Sequence, residues 1–138
     1  MRAAVISAAL ATLSATCVLA DDQDGALTGN QFLEMCQSPD MTQQGFCTGY
    51  LIGAVEGMRW GAGQPSLRAG RPVAEVQRDS DALLGFCLPP EATWGQHLDI
   101  ALGYVEGHPE IRHASARLLA QLALTEAFPC PWNRQHVK

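Results

Sequence analysis

Apolar side chains recur along this chain at spacings of three and four, and no segment alternates over the length of a strand. The pattern therefore predicts helices and no sheet. The signal is sharpest between Gly103 and Cys130, where Ile111, Ala114, Leu118 and Leu122, with Leu119, Ala123 and Phe128 beside them, form one apolar face. Ahead of that face, Gly107 suits a helix C′ position in the left-handed region. His108 suits the next N-cap, and Pro109 the first helical position, where a missing N–H costs nothing. Glu110 follows in the first turn, where the helix dipole favours an anion. Pro129 and Pro131 stop the run on either side of Cys130. The stretch predicts a helical hairpin with its corner at Gly107, His108 and Pro109.

Upstream, Thr28 or Asn30 can cap a short helix that carries Phe32, Leu33 and Met35 and ends near Cys36. Gln37 to Gln44 reads as a loop with a turn at Ser38-Pro39-Asp40. A second helix is predicted from about Gly45 to Trp60, apolar through Phe46, Tyr50, Leu51, Ile52, Val55 and Met58. Glycines recur in it every four residues: Gly45, Gly49, Gly53, Gly57 and Gly61. Each interior glycine costs about 1 kcal/mol against alanine, so a compensating gain is expected. A flat strip at Gly49, Gly53 and Gly57 would let another helix backbone come close, within the subunit or across a dimer.

Residues 61–72 are rich in glycine and proline and predict neither helix nor regular strand. A connection of that length is either functional or slack. Trp60, Arg68 and Arg71 lie in or beside it, and tryptophan and arginine are the types that most often dominate interfaces, which makes these three the candidate partner-binding residues. Helical character returns over 73–86 with Val73, Val76, Ala82, Leu83, Leu84 and Phe86, and Cys87-Leu88-Pro89-Pro90 breaks it. Thr93 with Gln96 makes a capping box for a helix striped by Trp94, Leu98, Ala101, Leu102 and Val105. The expected fold is an all-α bundle of four main helices plus a short extra one.

The 138 residues suit one domain once residues 1–20 are set apart. Arg2, the small apolar run Ala3 to Ala20 and the site before Asp21-Asp22 read as a secretory signal peptide, leaving a single domain over 21–138. The run is at the short end for a membrane span, and Ser14 stands where a lipobox at Cys17 wants leucine. The formal net charge of −5 becomes −6 when Arg2 leaves with the leader. There is no basic stripe for nucleic acid, and no segment of the mature chain approaches a spanning length.

Little of the remaining chemistry looks catalytic. Nucleophile-elbow, zincin, dinucleotide and P-loop motifs are absent from the sequence. The histidines of HPEIRH, His108 and His113, are five apart and do not share a helix face. No cofactor, metal or catalytic residue is expected. Four mature cysteines, Cys36, Cys47, Cys87 and Cys130, have no CxxC pair among them and read as two disulfides of an exported protein. Cys36 ends one helix as Cys47 begins the next, and Cys87 and Cys130 bracket the hairpin. Cα atoms must approach to about 4.4–6.8 Å, which adjacent helix ends satisfy. The favoured pairing is Cys36–Cys47 with Cys87–Cys130. The chief rival, Cys47–Cys87 with Cys36–Cys130, gathers all four at one end of the bundle.

The succession GFCTGYLIGAVEG, CLPPEATWGQ and YVEGHPEIRHASARLLAQLALTEAFPC resembles the Rap/Tai family of immunity proteins over about residues 32–130. The resemblance implies a periplasmic all-helical domain, usually a homodimer, that binds a peptidoglycan amidase effector of type VI secretion and occludes its catalytic cleft. At fold level the chain also resembles the small helical acid-stress chaperone HdeA. That makes a periplasmic chaperone or envelope scaffold the alternative expectation.

Overall fold

The computed structural model describes residues 26–132. The leader expected over 1–20 and the tail beyond Trp132 lie outside them. Five α-helices follow in order: α1 (Gly29–Cys36), α2 (Met41–Arg68), α3 (Val73–Leu84), α4 (Trp94–Gly107) and α5 (Ala116–Ala127), with a 3₁₀ turn, Pro109–Ile111, between α4 and α5. The described residues contain no strand, only two isolated bridges, Thr28 to Ser115 and Phe86 to Pro129. The protein is an all-α bundle stapled by two disulfides.

Local chemistry starts three of the helices. Thr28 caps α1 and Thr93 caps α4. Each accepts from the N–H of the third helical residue, whose glutamine side chain accepts in return from the cap's own N–H. Asp40 caps α2 through Oδ1, which accepts from Thr42 N–H at 2.8 Å. That cap draws the start of α2 back to Met41, into the expected loop.

The larger correction is at the other end of α2. The connection expected over 61–72 is helical through Arg68, with Pro65 inside the helix. An interior proline loses one i to i−4 bond and costs roughly 3 kcal/mol. Contact with α3 offsets that cost. Gly63 is buried against α3, where a Cβ would stand 2.8 Å from Ser80 Oγ and 3.0 Å from Val76 Cγ1. Ser66 donates to Asp79, and the Arg59 guanidinium donates to Asp81 Oδ1 from Nε at 3.2 Å and Nη2 at 3.0 Å. The chain turns only at Ala69 and Gly70, where φ is +71° and glycine has no Cβ to clash.

The corner between α4 and α5 also differs from expectation. Gly107 is the last residue of α4 and has no positive φ. Side chains satisfy the end of the helix instead, so a left-handed residue is not required. Arg112 reaches back and donates from Nε to the Val105 carbonyl at 2.7 Å and from Nη2 to the Glu106 carbonyl at 2.6 Å. His108 stacks on Tyr104 with ring centres 4.1 Å apart, and its Nδ1 lies 2.8 Å from the Tyr104 carbonyl. Pro109 opens the 3₁₀ turn, and α5 begins only at Ala116, held by a bond from its N–H to the Leu27 carbonyl. Gly29 closes the same junction. A Cβ there would strike the Leu119 side chain and stand 3.0 Å from the Arg112 carbonyl.

The core is small. Phe32 of α1, Leu51 and Val55 of α2, Phe86, Ala101 of α4, and Ala116, Ala120 and Leu124 of α5 meet at its centre. The disulfides run Cys36–Cys47, with Cα atoms 5.2 Å apart, and Cys87–Cys130, with Cα atoms 4.9 Å apart. One ties α1 to α2. The other ties the segment before α4 to the segment after α5, where Cys87 N–H also donates to the Phe128 carbonyl.

Candidate partner-binding surfaces

Extending α2 to 28 residues leaves one long face of it uncovered. A Cβ on Gly45, Gly49, Gly53, Gly57 or Gly61 would meet no atom within 4 Å. The glycines at 49, 53 and 57 therefore do not serve helix packing inside the subunit, which corrects that branch of the expectation. They floor an open groove of about 630 Å³ between α2 and α5, walled by Tyr50, Met58, Arg117 and Gln121. Gly63 is the helix-packing glycine of α2, and it lies off the four-residue ladder.

Beyond the glycines, the same helix presents Trp60, 68% exposed. Leu67 and Val73, the latter 77% exposed, extend that apolar surface across the α2–α3 seam. Trp60 borders two hollows of about 170 and 300 Å³, which also share Arg59, Val73 and Val76 as lining. Of the sequence-nominated residues, Trp60 and Arg68 stand exposed on the same helix, about 12 Å apart along its axis at 1.5 Å per residue. Arg71 is occupied. Its Nη2 lies 2.9 Å from Glu75 and its Nε 3.1 Å from Asp79, so it clips the turn onto α3. The corner residues Gly107, His108 and Pro109 lie at the C-terminal end of α4 and line neither of these hollows.

Two polar groups that sequence reasoning missed lie inside the bundle, Asp81 of α3 and His97 of α4. Asp81 is pushed above the ordinary carboxylate range by burial, against the opposing pull of its Arg59 partner. His97 of α4 is 4% exposed. Its ring meets Trp94 and Phe128 edge-on at 5.2 and 5.7 Å, and neither nitrogen has a hydrogen-bond partner among the described residues. Burial first, and the Arg59 charge second, push its pKa below 6.5. Its signal was present in the sequence, since position 97 falls on the α4 stripe between Trp94 and Ala101.

Among the described residues, no three His, Cys, Asp or Glu side chains gather closely enough to hold a metal ion. All four described cysteines are in disulfides, which leaves no thiol there to act as a nucleophile. Among those residues no helix is long and apolar enough to cross a membrane. What the molecule offers is surface: a grooved helix face and an aromatic, apolar seam on a cross-linked helical frame, the equipment of a binding protein.

The chain belongs to the Rap1a immunity protein family, whose model matches residues 28–130. Membership makes it an immunity protein against a secreted effector, with binding to that partner effector as its task. No curated protein and no solved structure matches the chain.

Proposed function

We propose that this protein works in the periplasm, after removal of residues 1–20, as a non-enzymatic inhibitor of a type VI peptidoglycan amidase. It binds the effector and occludes its active site. Family membership carries the reading, and the Trp60–Leu67–Val73 seam supports it with an aromatic anchor beside shallow hollows. In this reading the open glycine face of α2 pairs with a second copy to form a homodimer, and that contact recovers the helix stability forfeited at Gly49, Gly53 and Gly57.

The test is direct. A secreted amidase encoded beside the gene is mixed with the mature protein, and its release of peptide ends from purified sacculi is followed. Stoichiometric inhibition, relieved by Trp60→Ala, is expected. Amidase activity unaffected by a molar excess of folded protein would overturn the assignment.

A further inference from the structure

We propose that the larger hollow beside Trp60 receives an arginine side chain of the partner, stacked on the indole and paired with the Glu56 carboxylate. The inference rests on the reading of the Trp60 seam as the effector surface, and it adds the chemistry of what docks there.

Helix geometry brings the two groups together. Glu56 and Trp60 both stand on α2, and residues four apart on a helix carry Cβ atoms about 5–6 Å from each other on one face. Both side chains are exposed. They line the same hollow of about 300 Å³, to which α3 contributes Val73, Val76 and Gln77. The site therefore combines an open aromatic face, a carboxylate and apolar walls.

The charges at the hollow leave that carboxylate uncompensated. Glu56 and Arg59 are the charged residues that line it. Arg59 is committed inward, since its guanidinium donates to Asp81 Oδ1 from Nε at 3.2 Å and from Nη2 at 3.0 Å. On α3, Glu75 and Asp79 are held by Arg71 at 2.9 and 3.1 Å. Glu56 makes no ion pair among the described residues. What the hollow offers a partner is thus a negative charge beside an indole.

An arginine matches all three features. Its stem can lie along the valines while its head group stays at the rim. Its planar guanidinium stacks on tryptophan, the ring that attracts cations best, and can form two parallel N–H···O bonds to one carboxylate. An acidic side chain would meet Glu56 as a like charge. A wholly apolar one would desolvate Glu56 without a partner for it. The smaller hollow, of about 170 Å³, lies one turn further along α2, where Gly63 and Leu67 line it and no carboxylate does. It suits an apolar residue next to the arginine. The net negative charge of the chain favours the approach of such a basic partner.

Two measurements on the full mature chain test this. The first uses the tripeptide acetyl-Leu-Arg-Leu amide beside its citrulline and glutamate counterparts. NMR follows the Trp60 indole N–H, identified by its loss in Trp60→Phe. The arginine peptide should shift that signal more than the other two, and Glu56→Gln should remove the difference. The second measures affinity for the amidase encoded beside the gene. Glu56→Gln should weaken the complex about fivefold, as for an exposed ion pair. Glu56→Lys should weaken it about tenfold or more, because a like charge then faces the arginine. Added salt should narrow both gaps. Equal shifts from the arginine and citrulline peptides would overturn the inference. So would amidase binding that Trp60→Ala lowers and Glu56→Lys leaves unchanged, although the seam would then remain the effector surface. An amidase that the wild type does not bind would instead remove the proposed function, and the arginine peptide would still decide the chemistry of the hollow.

Discussion

Gly63 of α2 faces Ser80 of α3 so closely that a Cβ on the glycine would stand 2.8 Å from the serine oxygen. Ten residues earlier on the same helix, Gly53 faces open space. The two glycines invite opposite outcomes. Gly63→Ala crowds Ser80 and Val76 and should cost about 1–3 kcal/mol. Gly53→Ala should leave the monomer more stable by about 0.4–1 kcal/mol, because alanine fits an open helical site and narrows the unfolded ensemble. Urea unfolding of both variants checks the pair, and a destabilised Gly53→Ala monomer would contradict the open face. Sedimentation of Gly53→Leu then asks whether a second copy covers that face, since a bulky side chain should weaken such a dimer.

The Arg59–Asp81 pair joins side chains that are mostly but not fully shielded, so breaking it should matter more than breaking a surface bridge. Asp81→Ala removes the acceptor and leaves the part-buried Arg59 guanidinium without its partner. It should lower stability at neutral pH by about 1–2 kcal/mol, within the range for a hydrogen bond to a charged group. Asp40→Asn, at the exposed cap of α2, should cost only a few tenths of that, since asparagine caps nearly as well as aspartate. Thermal unfolding of the two variants side by side is the check.

The disulfides close loops of different length, with sequence separations of 11 for Cys36–Cys47 and 43 for Cys87–Cys130. In the chain-entropy account, losing the longer loop should cost roughly 1 kcal/mol more than losing the shorter. Double Cys→Ser variants compared in urea test this. Exchange should also rise in α4 and α5 when Cys87–Cys130 is lost, and in α1 when Cys36–Cys47 is lost.

Trp60 and Arg71 separate binding from scaffolding. Trp60→Ala removes an exposed ring, so it should weaken effector binding tenfold or more, about 1.4 kcal/mol, with helicity and melting unchanged. Arg71→Ala removes a clip to Glu75 and Asp79, so it should loosen the α2–α3 turn slightly and leave affinity nearly intact. Calorimetry with the effector and circular dichroism of each variant distinguish the two roles. Equal losses of affinity would return Arg71 to the binding surface.

The sequence by itself determined what depends on neighbours along the chain. Helical periodicity, the Thr28 and Thr93 caps and the absence of alternation were enough for an all-α bundle, because each is settled within a few residues. The four cysteines at helix ends left two pairings open, since separation along the chain does not say which ends meet. Tertiary contact decided the rest. It carried α2 through Pro65, because burial of Gly63 against α3 and the Ser66 and Arg59 bonds outweigh a local penalty that sequence alone shows uncompensated. It closed the α4 corner with Arg112 rather than a left-handed Gly107, since a side chain from a later turn can satisfy carbonyls that local rules assign to glycine. It left the glycine ladder bare and set Trp60 beside Val73, because which face of a long helix stays open is settled by where α3 and α5 pack. His97 sat in plain view on an apolar stripe, but the Phe128 ring that packs edge-on against it comes from the end of α5, and only folding brings the two together.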